Sequence, residues 1–233
     1  MVPLRDDNPT EITPFVTYGL ILANIGVFLH EIQLSPEALE QFFDRYAVVP
    51  QALTASFHGN AIASNIPEWA TLFTSQFLHG SFLHIAGNML FLWIFGNNIE
   101  DQLGHLKYLI FYLVCGALAA LTQWFFSPFS SIPSLGASGA IAGVMGAYIL
   151  RFPQATVLTL IPIGFFITTV RIPAIFFIGF WFLQQAFYGV ASLQTPANIG
   201  MESGGIAYWA HAGGFVFGVI LGPLLGLFSS RSR

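Results

Sequence analysis

Five polar residues stand in stretches that are otherwise almost purely apolar. They are Ser138 in Gly136-Ala-Ser-Gly139, His211 in Ala210-His-Ala-Gly-Gly214, and His79, His84 and Asn88 in the run from His79 to Asn88. A serine hydroxyl becomes a nucleophile when an adjacent base takes its proton, and neutral histidine is the usual base. An acidic third residue normally orients that histidine. No Asp or Glu lies inside an apolar stretch at the matching depth, where an ionised carboxylate would be costly. The economical arrangement is a dyad, with Ser138 as nucleophile and His211 as general base. Attack on an amide creates an oxyanion that needs preorganised donors. Asn88 can supply an amide N–H, His84 a ring N–H, and Ser138 its own backbone N–H, freed at a helix start. Together these groups would make up an acyl-transfer site. Taken singly, each has a plainer role: the serine as one more small residue allowing close helix packing, a histidine or asparagine as glue between helices. The case for chemistry therefore rests on whether the chain brings them together.

The composition says what must do so. Of 233 residues only 8% are charged while 55% are hydrophobic, against about 25% charged in a soluble domain. Seven Lys/Arg and a net charge of −4 exclude a nucleic-acid footprint. The single cysteine, Cys115, excludes an internal disulfide and a multi-cysteine metal site; it is expected to pack inside a helix bundle. Spans of the ~20 apolar residues that a bilayer requires are expected at about Pro14–His30, Phe77–Asn97, Leu106–Phe126, Gly136–Leu150, Ile172–Ala191 and Ile206–Phe228. The first is preceded by Asp6, Asp7 and Glu11 and followed by no small-residue cleavage pattern, so it is expected to be retained rather than removed as a signal peptide.

Phe152–Val170 is long enough for a seventh span, yet it is rich in β-branched residues and interrupted by Pro162-Ile-Gly164. That pattern predicts an interfacial hairpin or re-entrant loop. Charge bias agrees. With six spans and both termini inside, Arg5, Lys107, Arg151, Arg171, Arg231 and Arg233 are cytoplasmic and only Arg45 is outside, as positive-inside asymmetry requires. A seventh span erases the bias. Between the first two spans, Ser35-Pro36-Glu37 reads as a helix start, and the segment after it as an amphipathic helix on the outer leaflet or packed within the loop.

Depth and facing then favour convergence. At the helical rise, Ser138 stands ~20 Å above Arg151, His211 ~26 Å above Phe228, and Asn88 and His84 ~18 Å and ~24 Å above Glu100. All lie in the outer half of a ~30 Å core. His211, Gly214, Gly218 and Gly222 recur on one helical side, as do Ser138, Ala142 and Gly146 with Gly139, Gly143 and Ala147 alongside. Packing these small-residue stripes together brings the hydroxyl to the imidazole. His84 and Asn88, four apart, share a face. Arg151 and Arg171 suit interfacial anchoring, and Glu100 suits bracing the inner end of the second span.

These motifs resemble the rhomboid family of intramembrane serine proteases. Gly136-Ala-Ser-Gly139 is similar to its GxSG, the His84–Asn88 spacing to its HxxxN, and Ala210-His211 with the trailing glycines to its last-helix histidine. Glu100-Asp-Gln-Leu-Gly104 resembles its ExxxG, and Arg45-Tyr-Ala-Val-Val-Pro50 a first-loop stretch of bacterial members. The likeness runs from about residue 14 to 228. It implies an all-α polytopic bundle of six transmembrane helices with a short central fourth helix and a long first outer loop. It also implies one domain over 1–233, with cytoplasmic tails at 1–13 and 229–233.

The implied activity is serine endopeptidase cleavage of transmembrane segments near the outer leaflet. Ser138 and His211 would be catalytic; His84, Asn88 and Gly136 would line the oxyanion and substrate side, and His79 would support it. Transmembrane protein substrates and membrane lipids are the implied partners, in a bacterial inner membrane, with no nucleic acid, nucleotide, metal or other cofactor required. Two positions depart from the pattern. Trp69 is followed by Ala70 where many members carry a Trp-Arg pair, and Ala142 stands where some carry an aromatic residue under the histidine, so loop and imidazole must be held otherwise. The small, polar segment 192–205 is expected to cap the site. The alternatives are a catalytically silent rhomboid-like protein that binds transmembrane clients, whose signature would be loss of one of these residues, and a transporter or channel, for which paired mid-membrane charges or repeated halves are missing from the sequence.

Overall fold

The computed structural model describes residues 1–60, 66–164, 166–193 and 207–229. Its helices are α1 (Phe15–Glu31), α2 (Pro36–Tyr46), α3 (Pro50–Phe57), α4 (Glu68–Thr74), α5 (Phe82–Leu103), α6 (His105–Phe126), α7 (Ser138–Arg151), α8 (Ala174–Ser192) and α9 (Tyr208–Leu224). Three of them, α5, α6 and α8, are long and apolar enough to cross a membrane, and α1 and α9 are apolar helices of 17 residues.

The 14-residue α7 is the hub. Every residue from Gly139 to Tyr148 is buried, with α5, α6, α8 and α9 packed around it. A helix this short rises only ~21 Å, less than the ~30 Å of a hydrocarbon core. The irregular segment before it must therefore descend to meet it. That segment is tied down by a bridge between Val48 and Ser134 and by the Gly136 N–H donating to the Ser75 carbonyl at 2.8 Å. Ser138 thus begins its helix recessed inside the bundle.

The small-residue stripes do meet. A Cβ on Gly214 would lie 2.1 Å from the Gly139 carbonyl oxygen, and one on Gly218 would lie 1.9 Å from that of Gly143. Only glycine permits such an approach of two helix backbones. On the other side of α7, Phe95, Tyr108, Phe111, Tyr112 and Met145 fill the core without exposure.

The expectation of a purely helical chain is corrected by a three-stranded antiparallel sheet, ordered β1 (Val2–Asp6), β2 (Thr156–Ile163) and β3 (Phe166–Pro173). The β-branched run after α7 forms a hairpin that turns at Gly164, and the start of the N-terminal tail, expected to be a plain tail, adds the third strand. Pairing Val2 with Leu160 and Asp6 with Val157 satisfies backbone groups of β2 that would otherwise form a free edge.

In the first loop, α2 starts where the Ser35 hydroxyl accepts from the Ala38 N–H, with Pro36 in the first turn. Here Trp69 is 63% exposed, with no side-chain hydrogen bond or ring contact among the described residues. The loop is held instead by Thr74 donating to the Tyr46 carbonyl at 2.6 Å, Trp124 to the Thr54 hydroxyl at 2.9 Å, and Thr54 to the Pro128 carbonyl at 2.6 Å.

Candidate active site

Ser138 opens α7 and His211 lies in the first turns of α9, brought together by the glycine contacts Gly139–Gly214 and Gly143–Gly218 that follow them along the two helices. The serine Oγ is 2.7 Å from His211 Nε2. On its far side, His211 Nδ1 is 2.8 Å from Oε1 of Gln185 on α8. An amide oxygen only accepts, so Nδ1 carries the proton and Nε2 is left as acceptor for the serine O–H. The ring of Trp181, one turn before Gln185, lies 5.7 Å from the imidazole at an interplanar angle of 34°. Ala142 leaves the histidine without an aromatic neighbour from α7, and α8 supplies one.

Gly136 joins this pair to the other expected groups. Its φ of +122° lies where side chains are rarely tolerated, and a Cβ there would stand 2.8 Å from His84 Nε2 and 3.7 Å from Asn88 Nδ2. The backbone before the serine is thus pressed against both residues. Ser81 caps α5, its hydroxyl accepting from the His84 N–H at 3.2 Å, which sets His84 and Asn88 on the first turns facing the serine segment.

His79 does not sit on that helix, as the expected span from Phe77 had it. The Gly80-Ser81 break places it in the approach to α5, folded back so that its Nε2 is 2.9 Å from Asn88 Nδ2 and its ring centroid 5.0 Å from that of His84. The His79 N–H in turn meets the carboxylate of Glu31 at 3.2 and 3.3 Å. A buried carboxylate therefore does lie near the site, at the end of α1, but behind His79 rather than behind His211. A cavity of about 20 Å³, lined among others by Gln76, Ser134, Gly136, Ser138 and Ala207, has room for one water beside the serine. Among the described residues, no group of three His, Cys, Asp or Glu could hold a metal ion. The segment 192–205, expected to cap the site, lies almost wholly outside the described residues.

The model of the rhomboid domain matches residues 67–228, most of the chain and every residue of the site. The chain belongs to the rhomboid family. It is similar to Rhomboid-like protein 11, chloroplastic, of Arabidopsis thaliana, at 30% identity over 92% of this chain and 67% of that protein. It is also similar to Rhomboid protease GluP of Bacillus subtilis, at 33% identity over 70% of this chain, and to Rhomboid protein 1, mitochondrial, of Saccharomyces cerevisiae, at 30% over 64%. This rhomboid chain spans 28% and 39% of the lengths of the latter two.

Within this rhomboid, the residue that sequence inspection passed over is Gln185. A signal was present: from Arg171, the marker at the start of that span, Gln185 lies ~21 Å along a helix, the depth assigned to Ser138. Its spacing of four from Trp181 puts both on one helical face.

Proposed function

We propose that this rhomboid is an intramembrane serine endopeptidase that cleaves transmembrane segments of other membrane proteins near the outer leaflet. It would act as a single six-span domain in a bacterial inner membrane, with both termini cytoplasmic. The observation that carries the reading is the 2.7 Å contact between Ser138 Oγ and His211 Nε2, in a histidine whose other nitrogen is occupied as a donor.

The chemistry follows from the geometry. His211 Nε2 accepts the serine proton as Oγ bonds to the substrate carbonyl carbon, and the carbonyl π electrons move onto oxygen. The Asn88 amide, the His84 ring N–H and the Ser138 backbone N–H would receive that oxyanion. Collapse expels the amine, which takes the proton from His211, and leaves an ester on Ser138. Water then repeats the sequence, with His211 again as base, and releases the acid. His79, bonded to the Asn88 amide, would fix one of the donors, and Gly136, without a side chain, lets the backbone before the serine lie against His84 and Asn88. Only extended peptide can enter such a site, so a transmembrane helix with glycine, proline or other helix-weakening residues near its outer end is the substrate class. Serine, histidine and water suffice, and no cofactor is required.

The test is cleavage of such a substrate by the purified protein in lipid vesicles. The parent is expected to cut and Ser138→Ala to leave the substrate intact. Equal cleavage by both would refute the reading, and a folded parent that binds transmembrane segments without cutting them would establish the silent alternative.

A further inference from the structure

We propose that Gln185 is a positioning residue that completes a Ser138–His211–Gln185 relay; this rests on the proteolytic reading above. Histidine serves a serine only with Nε2 unprotonated and the ring held in line. In water-soluble serine hydrolases a carboxylate usually does both. A carboxylate at this depth in a membrane would carry a large desolvation cost. A primary amide supplies the same acceptor oxygen without a formal charge. Gln185 is 8% exposed, its Oε1 is 2.8 Å from His211 Nδ1, and Trp181 beside it restrains the ring face. No other side-chain hydrogen bond is formed between α8 and α9 among the described residues, so this one acceptor sets both the tautomer and the ring angle.

The experiment compares Gln185→Leu, which keeps bulk but removes the acceptor, with Gln185→Glu, which keeps an acceptor oxygen. Both are measured for substrate kcat and KM, for pH dependence and for thermal stability, with Ser138→Ala alongside. Loss of orientation is expected to lower kcat of Gln185→Leu roughly ten- to a hundred-fold with KM and the unfolding midpoint little changed. Gln185→Glu, which in either protonation state keeps an oxygen that can accept from Nδ1, should recover most of that rate. Wild-type kcat in Gln185→Leu overturns the proposal, as does equal loss in both variants together with a lowered midpoint. If Ser138→Ala still cuts, the proteolytic reading itself has failed; if it is inactive while Gln185→Leu is not, only the relay has.

A separate surface carries a second inference. At the opposite end of α7, the β2–β3 hairpin projects an apolar tip, with Phe166 80% and Ile167 71% exposed. β3 runs from that tip to the hairpin base and there enters α8, whose first residues Ile175 and Phe176 are exposed and apolar as well. Arg5 and Arg171 lie at the hairpin base in a cleft shared with Asp6 and Asp7, so the charged groups of the hairpin are at the end away from its apolar tip. We infer that the tip inserts into the leaflet farther from the active site.

An environment-sensitive fluorophore on Ile167→Cys tests this, since native Cys115 is fully buried. In vesicles its emission should be quenched by lipid-borne doxyl groups and protected from iodide, unlike a label on Glu37→Cys. Free iodide quenching at 167, or crosslinking of two chains through it, would overturn the inference.

Discussion

The two ends of α7 solve the problem of polar groups near a membrane in opposite ways. At the end where Ser138 lies, the groups proposed to react and orient are a hydroxyl, imidazoles and two amides, with the carboxylate of Glu31 set behind His79. At the other end carboxylates bind the chain together. Glu100, without exposure, accepts from the N–H groups of Val16 and Thr17 at 2.9 and 2.8 Å, from the Thr17 hydroxyl at 2.7 Å, and from His105 at 2.6 Å. It thereby caps α1, which has no side-chain cap of its own. Asp101 accepts from Glu11 and Ile12, and Asp6 from the hydroxyl of Tyr148. Carboxylates stand where fixed donors saturate them, and are kept from contact with the pair between which the proposed reaction would move a proton.

Substitutions at the two ends should therefore fail differently. The largest effect expected is His211→Ala, with activity down by at least about a thousand-fold and an unfolding midpoint close to that of the parent. Next is Asn88→Ala, for which loss of one oxyanion donor should lower kcat about a hundred-fold or more, again with the fold retained; peptide-cleavage kinetics check both. Glu100→Gln should show the converse. It should destabilise the fold by about 3 kcal/mol in denaturation experiments while the surviving folded fraction keeps its specific activity. An equal loss of specific activity in Glu100→Gln would erase the distinction between the ends.

The smallest effect is at Asp7, whose carboxylate accepts from the Thr156 N–H at 2.7 Å and from its hydroxyl at 2.5 Å. Those bonds hold its carboxyl below the usual value, whereas burial pushes that of neighbouring Asp6 up. With a depressed folded value, the contribution of Asp7 is present above the ordinary carboxylate range near ~3.9 and fades as pH falls through the folded value. Asp7→Asn should cost about 1 kcal/mol or less at neutral pH, and nothing once both forms are uncharged. Amide exchange of β2 across that range measures it.

Sequence reasoning reached the site further than the fold around it. Ser138, His211, His84 and Asn88 were legible because a polar residue in an apolar span has no cheap alternative, and because helical rise converts sequence distance into depth. The glycine stripes of α7 and α9 were legible from spacing alone, and so was the Phe152–Val170 hairpin from its β-branched run and central turn. What pairs with that hairpin was not legible, since the partner strand lies more than 150 positions away in a short tail without a distinctive pattern. His79 was misplaced by a few residues because apolar periodicity continues through Gly80-Ser81, where the capping hydroxyl actually begins the helix. Gln185 was overlooked for a different reason. The usual third residue is a carboxylate, whereas an amide meets the same geometric need at lower desolvation cost.

The most direct test of a neutral serine activated by His211 is the mass of the protein after reaction with a fluorophosphonate in lipid vesicles. One covalent adduct, mapped to Ser138, is expected on the parent and on folded Glu100→Gln at equal rates, and none on His211→Ala over the same time. An adduct on another residue, or labelling of His211→Ala as fast as the parent, would contradict the account.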